Sequence, residues 1–270
     1  MGALAAGAAL STASAKCADK KTTARLRIAH LTDPQLGFGP GKTPAAKYDA
    51  DLRRLERTIK MVNGLKPDLA LFTGDMTNRW QDVARDWPRI LKTIEVPVAV
   101  APGNHDLGMP VKKEMRDGYL AVFGYDYKAF DLNGWRVIVG NTQFWRKGGL
   151  PDEEAKYEEW VKAELGKAKA YGGKVILAGH VPPFAVTHQE KDSYENCPKA
   201  SRGDRLRAYS AAGARIFLAG HTHRMMMRGY KELTILNPET TSTNFDARPH
   251  GFRMFDVASA DDYSYEFVRV

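Results

Sequence analysis

The chain holds only two cysteines in 270 residues, Cys17 and Cys197. So few exclude a disulfide-built scaffold, and neither sits at the spacing of a metal-ligand pair. Both are read as free thiols. Long apolar runs are also missing. The one extended stretch without charge, Met1 to Ala15, consists mostly of Ala, Gly, Leu and Ser, too short and too weakly hydrophobic for a membrane span. A lipoprotein signal is excluded too, because Lys16 precedes Cys17 where a small residue is needed. A phosphate-binding loop is incomplete. Gly41-Lys42-Thr43 has its closing residues, but Leu36 occupies the position of the required first glycine. Gly37 to Thr43 therefore reads as a flexible turn.

The uncharged start has its own meaning. It ends Ala13-Ser14-Ala15, a small-x-small sequence suited to a signal peptidase. Residues 1–22 are expected to be a leader of bacterial type, resembling the end of a twin-arginine signal whose charged part lies upstream, and the protein to be exported. The alternative is an Ala-rich tail on a cytoplasmic protein. Residues 23–270 then form one domain, since 43% hydrophobic content supports a large core and no segment divides the chain by composition. The net charge of +8 and pI near 9.3 attract anionic partners. Lys and Arg alternate with Asp and Glu along Leu52 to Met61 and Pro151 to Ala170, the pattern of solvated helix faces, so no dedicated nucleic-acid surface is expected.

Five short apolar runs read as buried strands: Leu26 to Leu31, Leu69 to Phe72, Pro97 to Ala101, Val175 to Ala178 and Ile216 to Ala219. Helical faces alternate with them, Leu52, Leu55, Ile59 and Val62 before Asn63-Gly64, and later Tyr157, Trp160, Val161 and Leu165. That alternation is α/β. Each strand is followed by a polar motif: Asp33-Pro-Gln35, Gly74-Asp75, Gly103-Asn104-His105-Asp106, Gly179-His180 and Gly220-His221-Thr222-His223. Four of the seven histidines of the chain fall in these motifs. Carboxylate, amide and imidazole are the donors that hold divalent cations in water. In an open α/β sheet such loops gather beyond the carboxyl ends of the strands, so distant motifs can meet at one point. The set points to a two-metal hydrolase.

In order and content the motifs resemble those of the calcineurin-like metallophosphoesterases, over roughly residues 26 to 258. The resemblance implies a two-sheet β-sandwich flanked by helices, four layers in all. It implies two metals, one held by Asp33, Gln35 and His223, the other by Asn104, His180 and His221. Asp75 would bridge them, because one carboxylate can serve cations about 3.5–4 Å apart. The implied reaction is hydrolysis of a phosphate monoester by a hydroxide that the metals activate. The chain departs from most members at Gln35, where they carry histidine. An amide oxygen is a harder and weaker donor, which favours Mn over Fe, Mg or Zn. Asp-Pro-Gln and the Asp192-Ser193-Tyr194-Glu195-Asn196 stretch are similar to the calcineurin-like phosphoesterase domain-containing protein 1 group, which implies a phosphoprotein phosphatase. Asn78 stands where purple acid phosphatases carry an iron-binding tyrosine, so a colourless enzyme is expected.

His105 follows a ligand directly and is assigned to protonating the leaving group, with Asp106 expected to hold its tautomer. Two long loops are expected to shape the pocket: one offers Asn141 and Gln143, the other, Pro182 to Arg202, offers Tyr194 and Asn196. His30, Trp135 and Trp160 read as packing residues. A monomer is expected. A phosphodiesterase or pyrophosphatase acting on nucleotides or lipid-linked phosphates is the second reading, and a metal-stabilised binding scaffold the third; an intact His105 speaks against the scaffold.

Overall fold

The computed structural model describes residues 25–259 and 262–270. The expected leader at 1–22 and Cys17 lie outside them. Five strands form one sheet in the order β11 (Tyr263–Arg269), β10 (Gly251–Val257), β1 (Leu26–Leu31), β2 (Leu69–Thr73), β3 (Val98–Ala101). Six form the other: β4 (Lys128–Leu132), β5 (Trp135–Val139), β6 (Val175–Ala178), β7 (Ala214–Leu218), β9 (Leu233–Asn237), β8 (Met226–Tyr230). Strands β1 to β3 are mutually parallel, as are β5, β6, β7 and β9; the remaining strands pair antiparallel.

Side-chain alternation makes the layers. Leu26 and Ile28 of β1, Leu69 and Leu71 of β2, Trp135 and Val137 of β5, and Ile216 and Leu218 of β7 fill one apolar layer between the sheets. Their neighbours in sequence face outward onto helices. Ala29, Leu31 and Phe72 meet Leu55, Ile59 and Val62 of α1 (Pro44–Leu65) and Trp87 of α2 (Val83–Leu91). On the other side Leu177 and Phe217 join Tyr157 and Leu165 of α3 (Pro151–Ala168) and Tyr209 of α4 (Lys199–Ala211) in the outer core. Both faces of the central strands are covered, which is why β2 and β6 are buried throughout and read as unbroken apolar runs. The expected α/β, four-layer sandwich is the observed one.

Some local expectations change. Helix α1 does not stop at Asn63-Gly64 but runs to Leu65, where Lys66 takes the left-handed conformation and donates back to the Val62 carbonyl. The Gly37 to Thr43 turn is pinned rather than loose, because Asp51 of α1 accepts from the amides of Gly37 and Gly39 at 3.0 and 2.9 Å, and Thr43 caps the helix. Trp135 is fully buried as expected. Trp160 is only half-buried, lying against Tyr127 at the helix surface. Strands β4, β8 and β11 are partly exposed and each pairs with its neighbour in sequence, whereas β1 meets β10 and β7 meets β9 across longer stretches of chain.

Candidate metal centre

The carboxyl ends of β1, β2 and β3 in one sheet, and of β6 and β7 in the other, point to the same crevice. Main-chain bonds fasten the loops there. Asp33 and Gln35 donate to the carbonyls of Gly74 and Asp75 at 3.1 and 2.8 Å, and Gly220 donates to the His180 carbonyl at 2.8 Å. Backbone strain is concentrated at the same place. Nine non-glycine residues among those described have positive φ, and Asp33, Gln35, Asp75, His221 and His223 are five of them. The motif glycines permit close approach: a Cβ on Gly74 would lie 2.4 Å from the His180 ring, and one on Gly103 would lie 2.0 Å from an Asp75 oxygen.

Two donor clusters result, and they share a residue. Asp75, His180 and His221 offer atoms within 4.8 Å of one another, as do Asp33, Asp75 and His223. Asp75 Oδ2 is 3.4 Å from His180 Nε2, and Asp33 Oδ1 is 3.4 Å from His223 Nε2. Asn104 Oδ1 adds an oxygen 3.0 Å from His180 Nε2. Asp33 Oδ1 and Gln35 Oε1 are buried without a hydrogen-bond partner. An orphaned carboxylate oxygen and an orphaned amide oxygen beside imidazole are costly unless a cation meets them, and this donor set fits divalent metal.

Carbonyl oxygens fix the imidazoles. His180 Nδ1 donates to Thr73 O at 2.7 Å and His223 Nδ1 to Thr243 O at 2.6 Å, so each leaves Nε2 for a ligand role. His221 is turned the other way: its Nε2 donates to Tyr194 O at 2.9 Å and its Nδ1 faces His180. Tyr194 acts twice, because its hydroxyl accepts from Asn104 Nδ2 at 2.6 Å and so keeps Asn104 Oδ1 turned inward. The ionisable groups of the crevice shift one another. Burial opposes ionisation of Asp75, but His180 and the neighbouring His105 and His221 hold its carboxyl well below the usual range. Burial likewise opposes a charge on His180, yet Asp75 and Asp33 raise it to about 9. His221 falls to about 3 through burial and the charge on His180.

His105 stands at the rim. Its amide donates to Asp75 Oδ1 at 2.8 Å, and its Nδ1 donates to the Asn78 carbonyl at 2.9 Å, leaving Nε2 free of that bond. Asp106 does not do the tautomer work expected of it. Its carboxylate accepts from the amides of Met76 at 2.9 Å and Gly103 at 2.8 Å, tying the second and third motifs together. Burial, then the charge of Asp75, raise the Asp106 carboxyl to about 7.

The four residues expected to touch substrate separate. Tyr194 is 60% exposed and sits against His221, ring centroids 4.8 Å apart. Asn141 is buried, bonded to Asp126 and to the Gln143 amide, and so caps the turn after β5. Asn196 is buried within its own loop on Glu190, Lys191 and Ser193. Gln143 is fully buried. Asn141 and Asn196 are placed for structure, since each satisfies groups of its own loop, whereas both polar atoms of the Gln143 amide are buried without a hydrogen-bond partner. His30 is packed, as expected, with Nε2 3.1 Å from Thr73 Oγ1. Sequence reasoning missed Thr73, Asn78 and Thr243, which act through carbonyls that no side chain announces. It also missed Phe245, stacked on His223 at 4.7 Å, and Phe38, 5.3 Å from the same ring.

A helix-flanked double sheet whose strand ends converge on two clusters bridged by one carboxylate defines a metal-dependent phosphoric ester hydrolase. The chain belongs to the calcineurin-like phosphoesterase family, whose sequence profile matches residues 26–225. It is similar to the serine/threonine-protein phosphatase CPPED1 of Pongo abelii, 25% identical over 246 residues that cover 84% of this chain and 78% of that one. It is also similar to a probable glycerophosphodiester phosphodiesterase GpdQ of Arcobacter nitrofigilis, 27% identical over 213 residues, 75% of this chain and 74% of the other. The fold is that of a dimetal phosphatase from Danio rerio, TM-score 0.58 at 14% identity, covering 89% of this chain and 98% of the other.

Proposed function

We propose that the chain is a monomeric phosphatase that removes phosphoryl groups from phosphorylated serine or threonine side chains, using two divalent cations with Mn favoured. The observation that carries this is Asp75, shared by both donor clusters and hydrogen-bonded to the amide of His105. Asp33, Gln35 and His223 would hold one cation, Asn104, His180 and His221 the other, and Asp75 both. When bound, the pair supplies Lewis acidity toward the phosphoryl oxygens and makes water acidic enough to act as nucleophile near neutral pH.

The protein's own groups do the rest. The buried carboxylates and the carbonyl-fixed imidazoles hold the ligand geometry before substrate arrives, so little reorganisation accompanies reaction. His105 keeps one orientation in both protonation states, because the Asn78 carbonyl can only accept from Nδ1. Its Nε2 is then available to hold a proton toward the departing oxygen and release it as the bond to phosphorus breaks. The similarity to CPPED1 favours phosphoprotein as substrate; the similarity to GpdQ keeps a diesterase as the second reading. The uncharged residues 1–15 ending Ala13-Ser14-Ala15 support export.

A hydrolysis assay with Mn, reading released phosphate for the monoesters and released phenol for the diester, decides among these. Phosphoserine peptides, aryl phosphates, a bis-aryl phosphate and nucleotides are compared before and after chelation with EDTA. Monoester hydrolysis that EDTA abolishes and Mn restores better than Zn is expected. Turnover that survives exhaustive chelation, or a clear preference for the diester, would overturn the reading.

A further inference from the structure

Beside His105 the surface opens into a cavity of about 780 Å³, far larger than a phosphoryl group requires. Asn104 and His105 form its inner end, so it lies on the side where the leaving group must emerge. Three further segments build the walls: 78–81, 108–113 with Met115, and 148–150. Their packing is firm. A Cβ on Gly149 would lie 2.2 Å from Val111 O, and one on Gly118 would lie 3.2 Å from the Trp80 ring.

The charge of this cavity is one-sided. Arg79, Lys112 and Lys113 line it, and no Asp or Glu does. Acids outside the lining answer two of the cations: Asp82 lies 3.7 Å from Arg79 and Asp117 lies 2.5 Å from Lys113. No ion pair is formed by Lys112 among the described residues. Aliphatic surface from Met109, Pro110, Val111 and Leu150 lies between the basic groups. A cationic wall with apolar patches, running outward from the proton donor, matches an extended chain that carries carboxylates near its phosphorylated residue.

We infer that this cavity is the leaving-group subsite and that it selects phosphopeptides with acidic residues flanking the phosphoserine or phosphothreonine. The inference rests on the phosphatase reading above and names the substrate class for it. The volume suits several peptide residues rather than a single side chain.

The full chain is loaded with Mn and tested on two phosphoserine peptides of equal length, one flanked by Glu and one by Lys. At about 50 mM salt the acidic peptide is expected to have roughly tenfold higher kcat/KM, since a few exposed charge pairs each contribute up to about fivefold. The preference should fade toward unity by about 0.5 M salt as the charges are screened. The double variant Arg79→Glu, Lys112→Glu should reverse it while retaining metal-dependent hydrolysis of 4-nitrophenyl phosphate. Arg79→Gln with Lys112→Gln should abolish the preference without reversing it. Fluorescence anisotropy of the same peptides measures binding without turnover, and there the wild type should favour the acidic one and the charge-reversed variant should not. Equal binding and turnover of both peptides, or tighter capture of ADP than of the acidic peptide, overturns the inference. Metal-dependent cleavage of 4-nitrophenyl phosphate would leave the phosphatase reading standing in either case.

Discussion

Removing one oxygen atom from Tyr194 tests how the second cation is held. In Tyr194→Phe the main-chain carbonyl still fixes His221, but Asn104 loses the acceptor that lies 2.6 Å from its Nδ2. The amide is then free to rotate and present nitrogen where oxygen is needed. A single intramolecular hydrogen bond is worth about 0.5–1.5 kcal/mol net, or roughly two- to twelvefold in an equilibrium. Outer-shell partners of metal ligands cost about 10–100-fold when lost. The two ranges meet near tenfold, which is the expected weakening of Mn binding at the second position. Asp33, Gln35 and His223 make no contact with the Tyr194 hydroxyl, so the first position should be unchanged. Calorimetric titration of Mn into metal-free protein separates the two binding steps, and circular dichroism checks that the fold is kept. Equal affinities in variant and wild type, or equal weakening of both steps, would refute the idea that this hydroxyl orients Asn104.

Three further outcomes follow from the same geometry. His105→Ala should retain both cations by elemental analysis and lose about 10²–10⁴-fold in turnover, far more for an alkyl phosphate than for an aryl phosphate with an acidic phenol; equal losses would make His105 a phosphate-orienting group instead. Gln35→His should tighten the first cation and shift its preference from Mn toward Zn, because imidazole replaces a weak amide oxygen, and competition titrations with unchanged selectivity would place Gln35 outside the ligand set. His180 is raised from its ordinary 6.5 to about 9 in the metal-free protein, so its ion pairs stabilise that form fully below about pH 6.5 and the contribution is lost as pH rises through about 9. Since a cation must displace that proton, Mn affinity at the second position should climb between those two pH values, with a proton released that calorimetry in buffers of different ionisation enthalpy can count; a flat profile would contradict it.

Much of this protein was legible in order along the chain. Apolar runs such as Val175 to Ala178 announced buried parallel strands, and the polar residues directly after them announced donors, because in an α/β sheet the strand ends are where loops converge. Strands β8 to β11 were not legible, since a half-exposed strand such as Tyr263–Arg269 takes its conformation from the partner it pairs with rather than from its own pattern. The side-chain chemistry of the centre belongs to the sequence: carboxylate, amide and imidazole can be named without coordinates. Which nitrogen of each imidazole faces inward could not be, because it is set by the carbonyls of Thr73, Tyr194 and Thr243, and every residue has a carbonyl. The same holds for Asp106, whose neighbour in sequence suggested one task while the folded backbone gave it another, satisfying the amides of Met76 and Gly103. Residue identity sets which chemistry is available, and the folded backbone sets which atoms present it, because atomic orientation depends on backbone groups brought together from across two sheets.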